Sequence, residues 1–315
     1  MISIIICSAN SKLLGQLRQN IAETIGIDYE IIAIDNTNKK EGICAVYNKG
    51  GAMARYPVLC FMHEDILFET QNWGPLIVQH FKQHQTGLLG IAGGDTKGFV
   101  PSSWSSSFKS NEINIVQHSG KKMEATHIVE TYNNLPGVKK KVVTLDGVLL
   151  CTKKEIFDQL KFDEINFKGF HGYDIDYSLQ VFCYFEVAVM FDVIVHHFSE
   201  GKPDKKWVDS AVRVGRKWEK QLPVSVHPLT SAEFNFYHWK SLQFFLARLF
   251  QLNYRYHKII FYYLWFSFCR YFKIRRFLSM GKYVLLTMWQ YSHKKKQRAA
   301  YTTTPKIIHQ QTTVF

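Results

Sequence analysis

A chain of 315 residues, 46% of them apolar, is long enough for one large α/β domain plus an appendage or for two modest domains, and it excludes wholesale disorder. The net charge of +13 is not spread evenly: 14 Lys and Arg but no acidic residue follow Glu233, so the preceding residues hold 25 basic and 26 acidic side chains and the C-terminal quarter holds the whole excess. The six cysteines form no CxxC pair or zinc-like spacing and read as reduced core residues of a cytoplasmic protein, and the opening MISIIICSAN, without a basic n-region, reads as a first strand and not a signal peptide.

Residues 2–7, ISIIIC, form a β-branched run that stops at Ser8-Ala9-Asn10-Ser11, a helix-cap composition. Leu13, Leu14, Leu17, Ile21 and Ile25 then recur at helical spacing up to Gly26, and Tyr29 to Ile34 is a second strand running into Asp35-Asn36. Strand, helix, strand, with polar residues after each strand, opens a parallel α/β sheet whose ligands bind at those strand ends. Cys44 to Arg55 suits a helix around Asn48 and the pair Gly50-Gly51. Each Gly there costs roughly 1 kcal/mol against Ala, which points either to close approach of another group or to ordinary packing. The third strand, Val58 to Met62, delivers His63-Glu64-Asp65. Adjacent carboxylates at a strand end present hard oxygen ligands to a divalent cation and a phosphorylated ligand.

Asn72 to His84 predicts another helix, and Gly87 to Gly93 a further strand. Residues 94–141 are rich in Gly, Ser, Asn and Lys around Trp104 and Phe108, a composition expected of a functional loop region or a small irregular sheet. Strand character returns from Val142 to Cys151 around Asp146-Gly147, followed by a short helix from Lys153 to Leu160. In FDEINFKGFHGYDIDY, residues 162–177, Asp174 and Asp176 follow a Gly-bearing turn and open an amphipathic helix. The helix macrodipole alone favours carboxylates there by a few tenths to about 1 kcal/mol. Glu186 to Val195 is a strand that ends in His196-His197-Phe198-Ser199-Glu200-Gly201, and residues 205–222 are a helix closed by Pro223 with Trp207, Val212 and Trp218 on its buried side.

In that order, the strands ending in SAN and IDN, the segment YNKGGAMA, the strand ending in HED, LDG before a strand, GYDIDYSLQ and HHFSEG resemble the family 2 glycosyltransferases of GT-A fold. They are most similar to the bacterial glycosyltransferase-like subfamily whose metal motif is HED or HDD. The resemblance spans about residues 1–225 and implies a Rossmann-like, mostly parallel sheet flanked by helices. It implies a nucleoside-diphosphate sugar, UDP-sugar favoured, bridged to the protein by Mn²⁺ or Mg²⁺. Asp65 takes the last position of the family's DxD-like motif, with His63 in the first, and His197 takes the C-terminal metal-side position. Ser8 and Asp35 match the nucleoside pocket, joined on the donor side by Asn48 and Glu64. Asp174 takes the position of the catalytic base, with Tyr173 where a Glu is usual, and Asp146, Gly147, Tyr173 and Asp176 fall near the sugar or the acceptor. Such an enzyme would transfer sugar with inversion to a saccharide or lipid-linked glycan in surface polysaccharide synthesis. A sugar-phosphate nucleotidyltransferase shares a similar sheet, but SANSKLLG lacks the Gly-rich, Arg-containing loop of those enzymes. A non-catalytic glycan-binding or scaffold protein of the same fold is the other alternative.

Residues 226–298 form a basic, aromatic-rich helical extension, and residues 299–315 are Thr/Gln-rich and expected to be disordered. The longest uncharged apolar run in the extension, Ile259 to Cys269, is 11 residues against the roughly 20 that span a bilayer. Taking about 100° per residue, Lys240, Arg248, Arg255, Lys258, Arg270, Lys273 and Arg276 fall within an arc of about 120° while Arg275 and Lys282 do not, as expected of one or two helices with a cationic face. A cationic face beside a wide Phe/Trp/Tyr/Leu face fits the interface of an anionic membrane, and with it a peripheral place on the inner face of the cytoplasmic membrane. The alternative is that the apolar face packs on protein. Basic residues among aromatics also suit nucleic acid, but no recognisable module accompanies them, and no nucleic-acid partner is expected.

Overall fold

The computed structural model describes residues 1–38, 40–105, 111–119, 124–129, 138–199, 201, 203–268 and 272–303. Phe108, Glu200, Cys269, Arg270 and the segment 304–315, all singled out above, lie outside the described residues. The chain divides into two units, Met1–Ser241 and Leu242–Phe315.

In the first unit the elements run β1 (Ile2–Ser8), α1 (Ser11–Thr24), β2 (Tyr29–Asp35), α2 (Ile43–Met53), β3 (Val58–Met62), β4 (Ile66–Phe68), α3 (Trp73–His80), β5 (Thr86–Gly90), β6 (Ala92–Gly94) and β7 (Thr96–Lys97). They continue with β8 (Asn111–Ser119), β9 (Glu124–Val129), β10 (Lys139–Val142), β11 (Thr144–Leu145), β12 (Leu149–Lys153), α4 (Lys154–Gln159), α5 (Tyr173–Phe182), β13 (Glu186–Met190), β14 (Val195–His197), α6 (Lys205–Lys217) and β15 (Val224–Ser225). The segment 94–141 thus contributes strands where its composition left loop or sheet open.

Seven strands form the central sheet in the order β10-β13-β5-β12-β3-β1-β2. β1 is parallel to both β2 and β3, and β13 to β5, while β12 runs antiparallel between β3 and β5. Both faces are covered, which is why the inner strands read as continuous apolar runs. Ile5, Leu59, Phe61 and Leu150 pack on one side with Tyr47 of α2, Phe157 of α4 and Tyr177 of α5. Ile4, Ile6, Cys60 and Met62 pack on the other with Leu17 and Ile21 of α1 and Trp73 and Ile77 of α3. The glycine pair in α2 is a packing contact: a Cβ on Gly50 would overlap Ile5, and one on Gly51 would overlap the Phe157 ring. Cys44, Cys60 and Cys151 are buried as expected, but Cys183 is exposed because it caps the C-terminus of α5.

A smaller sheet, β11-β6-β8-β14-β4 with β9 beside β8, stands next to the first. Its pairings position the site. β4 runs antiparallel to β14 with His197 opposite Ile66, so Asp65, one residue before β4, comes beside His197. β14 runs parallel to β8 with His197 opposite Gln117.

Three further helices follow, α7 (Ser231–Gln251), α8 (Tyr256–Phe268) and α9 (Ile274–Thr303). Asn253, in a left-handed conformation at φ 54°, follows α7, so the basic residues from Lys240 to Arg276 do not lie along one continuous helix. In the second unit α8 and α9 pack through Tyr263, whose hydroxyl donates to Phe277 O at 2.9 Å and whose ring stacks on Phe277. No helix among the described residues is long and apolar enough to cross a membrane.

Candidate active site

Three side chains converge between the end of β3 in the central sheet and β4 and β14 of the smaller one. His63 follows β3, Asp65 precedes β4, and His197 ends β14; one ligand atom from each lies within 4.8 Å of the others. The Asp65 Oδ1 atom is 3.8 Å from His63 Nδ1 and 3.8 Å from His197 Nε2. It is buried and has no hydrogen-bond partner.

At 3.8 Å neither ring nitrogen is within hydrogen-bond distance of that oxygen. Tyr173 donates its hydroxyl proton to Gly147 O at 3.0 Å, so its oxygen accepts from His63 Nε2–H at 2.8 Å. That leaves the lone pair of His63 on Nδ1, towards Asp65. Burial also pushes the His63 pKa down, against the pull of the Asp65 and Asp146 charges, which favours the neutral ring. His197 Nδ1 meets Gln117 Oε1 at 3.0 Å, and its Nε2 faces Asp65 and the Ser199 hydroxyl at 3.1 Å. Two imidazole lone pairs and a carboxylate oxygen therefore face one another, with the Ser199 hydroxyl donating to the one on His197. An unsatisfied buried acceptor costs about 1–3 kcal/mol, and a divalent cation bound by the three side chains would relieve it. The donor set of two nitrogens and one oxygen fits a dication such as Mn²⁺.

Glu64 faces elsewhere. Its carboxylate accepts from the Ser8 hydroxyl at 2.7 Å and from the backbone N–H of Ala9 at 3.0 Å and Asn10 at 3.2 Å. It thereby holds the entry to α1, where Asn10 caps the N–H groups of Lys12 and Leu13. A cavity of about 580 Å³ extends from this point. It is lined by Cys7, Asn36, Glu41 and Ile43, by His63 and Asp65, and by Lys168, Phe170, His171, Lys206 and Ser210, with Ile43 N–H donating to Gly169 O at 3.2 Å. Lys206 and Ser210 belong to the first turns of α6, whose cap Asp204 accepts from Trp207 N–H at 2.8 Å and lies 3.5 Å from His171 Nε2. Lys40, Lys168 and Lys206 among the lining residues suit an anionic ligand, whereas the α6 N-terminus already carries the Asp204 carboxylate.

The other sequence-predicted residues occupy distinct places. Asp35 is exposed and accepts from Thr37 N–H at 2.9 Å, while its neighbour Asn36 lines the cavity. Asn48 brackets residue 162, donating to Phe162 O at 2.9 Å and accepting from Phe162 N at 3.0 Å, and is not among the lining residues. Asp176, 1% exposed, receives Lys217 at 2.8 Å and the Trp218 indole N–H at 2.8 Å, which ties α5 to α6. Gly147 is glycine for a local reason: a Cβ there would collide with the Tyr173 hydroxyl. Asp146 accepts from Val148 N–H at 2.9 Å, and its charge reaches both His63 and Asp174.

Asp174, partly buried in the first turn of α5, is not among the residues lining the cavity but is next in sequence to Tyr173, which touches the metal cluster. Burial first, then the Asp146 carboxylate, push its pKa up to about 7, while backbone N–H groups and Lys97 pull the other way. A carboxyl poised near neutrality is suited to accept a proton. Lys97, 2% exposed, is pushed down to about 7 by burial, with its Nζ bonded to Ser102 O at 2.9 Å, Ser102 Oγ at 2.6 Å and Ser103 O at 2.9 Å.

A family model described as "Glycosyltransferase like family" matches residues 3–212. Among solved structures, GalNAc-T7 with UDP, GalNAc and Mn²⁺ superposes with a TM-score of 0.50 at 14% identity, covering 77% of this chain and 50% of that one. TarS of S. aureus superposes with a TM-score of 0.46 at 12% identity, covering 77% and 43%. A TarS fragment, residues 1–349, in complex with UDP-GlcNAc gives 0.42 at 10% identity, covering 82% and 69%. This chain spans about half the length of the first two. At these identities the likeness to GalNAc-T7 establishes the fold, GT-A, and nothing further. No curated protein matches.

Proposed function

We propose, from the premise that the chain belongs to the glycosyltransferase-like family, that it moves a sugar from a nucleoside diphosphate to a hydroxyl of a saccharide or lipid-linked glycan. The observation that carries this reading is the orphaned Asp65 Oδ1 facing the inner nitrogens of His63 and His197, with His63 and Asp65 on the lining of the cavity. His63, Asp65 and His197 would hold the dication, and His63, which the DxD-like pattern leaves outside the ligand set, joins it here. Two imidazoles among three protein donors favour Mn²⁺ over Mg²⁺, which takes oxygen ligands. Bound there, the cation supplies positive charge against which a departing diphosphate is stabilised.

The remaining roles belong to the chain itself. Lys168 and Lys206 offer positive charge to the phosphates, His171, whose pKa burial pushes down, offers a neutral imidazole, and Cys7, Asn36 and Glu41 would receive the nucleoside. Glu64 and Ser8 act indirectly, by fixing the loop before α1 against β3. Asp174 takes the proton from the attacking hydroxyl. With the base on the side of the sugar away from the diphosphate, transfer would invert configuration. UDP is the favoured nucleotide: the GT-A relative GalNAc-T7 was crystallised with UDP and Mn²⁺, and a TarS fragment with UDP-GlcNAc.

The second unit supports a place on an anionic membrane surface. Ile274, Leu278, Leu285 and Trp289 fall within about 60° of arc along about 22 Å of α9 and are all exposed, Leu278 by 62% and Trp289 by 60%. Met280 and Val284 of the same helix are buried on another side. Exposed Arg255, Lys258, Lys273, Arg275, Arg276 and Lys282 accompany the stripe, and no acidic residue does. An apolar stripe with cations alone around it suits an anionic bilayer interface and would bring the enzyme to a lipid-linked acceptor on the cytoplasmic face.

Donor hydrolysis tests the catalytic reading without knowledge of the acceptor. Release of UDP or GDP is followed over a panel of nucleotide sugars with Mn²⁺. Turnover of one donor that stops on chelation supports the assignment; no turnover of any donor, with nucleotide still bound, would instead favour a non-catalytic binding protein.

A further inference from the structure

Resting on the metal reading above, we infer that Gln117 and Tyr173 are positioning residues that fix the tautomers of His197 and His63, so that both imidazole lone pairs are aimed at the cation site in advance.

Gln117 is set by its own surroundings. Its amide Nε2 donates to three carbonyl oxygens, those of His118 at 3.0 Å, His197 at 3.2 Å and Ser199 at 2.8 Å. Turning the amide over would place its oxygen against those three acceptors, so Oε1 is the atom that meets His197 Nδ1 at 3.0 Å, and it can only accept. His197 therefore carries its proton on Nδ1 and its lone pair on Nε2, the atom 3.8 Å from Asp65 Oδ1. Tyr173 does the same for His63 from the opposite side. Its hydroxyl proton is committed to Gly147 O, so it accepts from Nε2–H and leaves Nδ1 free towards Asp65.

The consequence falls on the space around Asp65. Were either ring in its other tautomer, an N–H would face Oδ1 across 3.8 Å and that nitrogen would have no lone pair to offer a cation there. With both protons on the outer nitrogens the two inner lone pairs face Oδ1, and that of His197 meanwhile accepts from the Ser199 hydroxyl at 3.1 Å, a bond that an entering cation would replace. Outer-sphere partners of this kind typically change metal affinity by about 10- to 100-fold when removed.

Two measurements on the full chain test this. Mn²⁺ binding by calorimetry should be about 10- to 100-fold weaker in Gln117→Leu and in Tyr173→Phe than in the wild type. Affinities within about twofold of wild type, which is inside the ordinary scatter of such contacts, would overturn the inference while leaving the metal site standing. Nitrogen-15 NMR of the ring nitrogens in the metal-free wild type reads the tautomers directly and needs no variant to fold. Protonated Nδ1 on His197 and protonated Nε2 on His63 are expected; the opposite tautomer on either ring overturns its assignment. If the wild type binds no Mn²⁺, the metal reading fails, and the tautomer spectrum still decides the roles of Gln117 and Tyr173.

Discussion

Glu64 and Asp65 are neighbours in sequence but send their carboxylates to opposite tasks: Glu64 receives the Ser8 hydroxyl at 2.7 Å, whereas Asp65 Oδ1 lies buried 3.8 Å from each of two imidazole nitrogens. One carboxylate is held by three protein donors, while the other keeps a buried oxygen without a donor among the described residues. Their substitutions should separate accordingly. Glu64→Ala removes the acceptor for Ser8, Ala9 and Asn10 and should cost about 1–3 kcal/mol of stability, read as a lower denaturant midpoint, with Mn²⁺ affinity retained. Loss of Mn²⁺ binding in a folded Glu64→Ala protein would mean that the two carboxylates act together.

Asp174 as general base predicts that Asp174→Asn loses about 10²- to 10⁴-fold in transfer while binding Mn²⁺ and nucleotide as the wild type does. Steady-state transfer and calorimetry on the same preparation check both halves, and unchanged transfer would remove Asp174 from the mechanism.

The same residue predicts a pH dependence of stability. Its folded pKa, up to about 7, stands above the ordinary 3.8, so between those values the folded state holds more protons than the unfolded one. Stability from this group is therefore complete below about pH 4 and falls as pH rises towards 7. Asp174→Asn lacks that loss, so its advantage in urea midpoint over the wild type should widen from pH 4 to 7 and then level off. Transfer in the wild type should rise with pH over an acid limb at or below 7, since a bound dication would pull the carboxyl down.

Asp176 should behave as a structural carboxylate. Asp176→Ala leaves the Trp218 indole N–H without its acceptor, while Lys217 keeps Asp163 at 2.7 Å. A loss of about 1–3 kcal/mol is expected, with kcat changed less than tenfold. A larger fall in kcat at full stability would place Asp176 in the chemistry.

For the α9 stripe, Leu278→Glu with Leu285→Glu should abolish sedimentation with anionic liposomes without altering donor hydrolysis. Raised salt alone should weaken binding only in part, because burial of the stripe is not screened. Equal partitioning of variant and wild type would count against the membrane surface.

Much of the framework was legible in the chain because apolar runs leading into SAN, IDN and HED become β1, β2 and β3 with little change of boundary. Periodicity says nothing of pairing, however. His63 stands among carboxylates in HED and becomes a ligand candidate only once β4 and β14 bring His197 beside Asp65. Gln117 lies 52 residues beyond Asp65 in a polar segment without a clear alternation, and only the register of β8 against β14 sets it behind His197. Asn48 sits in a motif yet serves the 162–164 turn, because a side chain on a helix spends its hydrogen bonds on whichever backbone passes closest. The continuous cationic arc failed at Asn253, where one left-handed residue resets the helical phase.

The central claim is that His63, Asp65 and His197 hold a cation that in turn holds a nucleoside diphosphate. Calorimetric titration of UDP and GDP, with and without Mn²⁺, on the wild type and on Asp65→Ala tests it most directly. The account predicts that UDP binds only with Mn²⁺ and that this binding is lost in Asp65→Ala. Equal UDP affinity with and without the metal, or in wild type and variant, would contradict it.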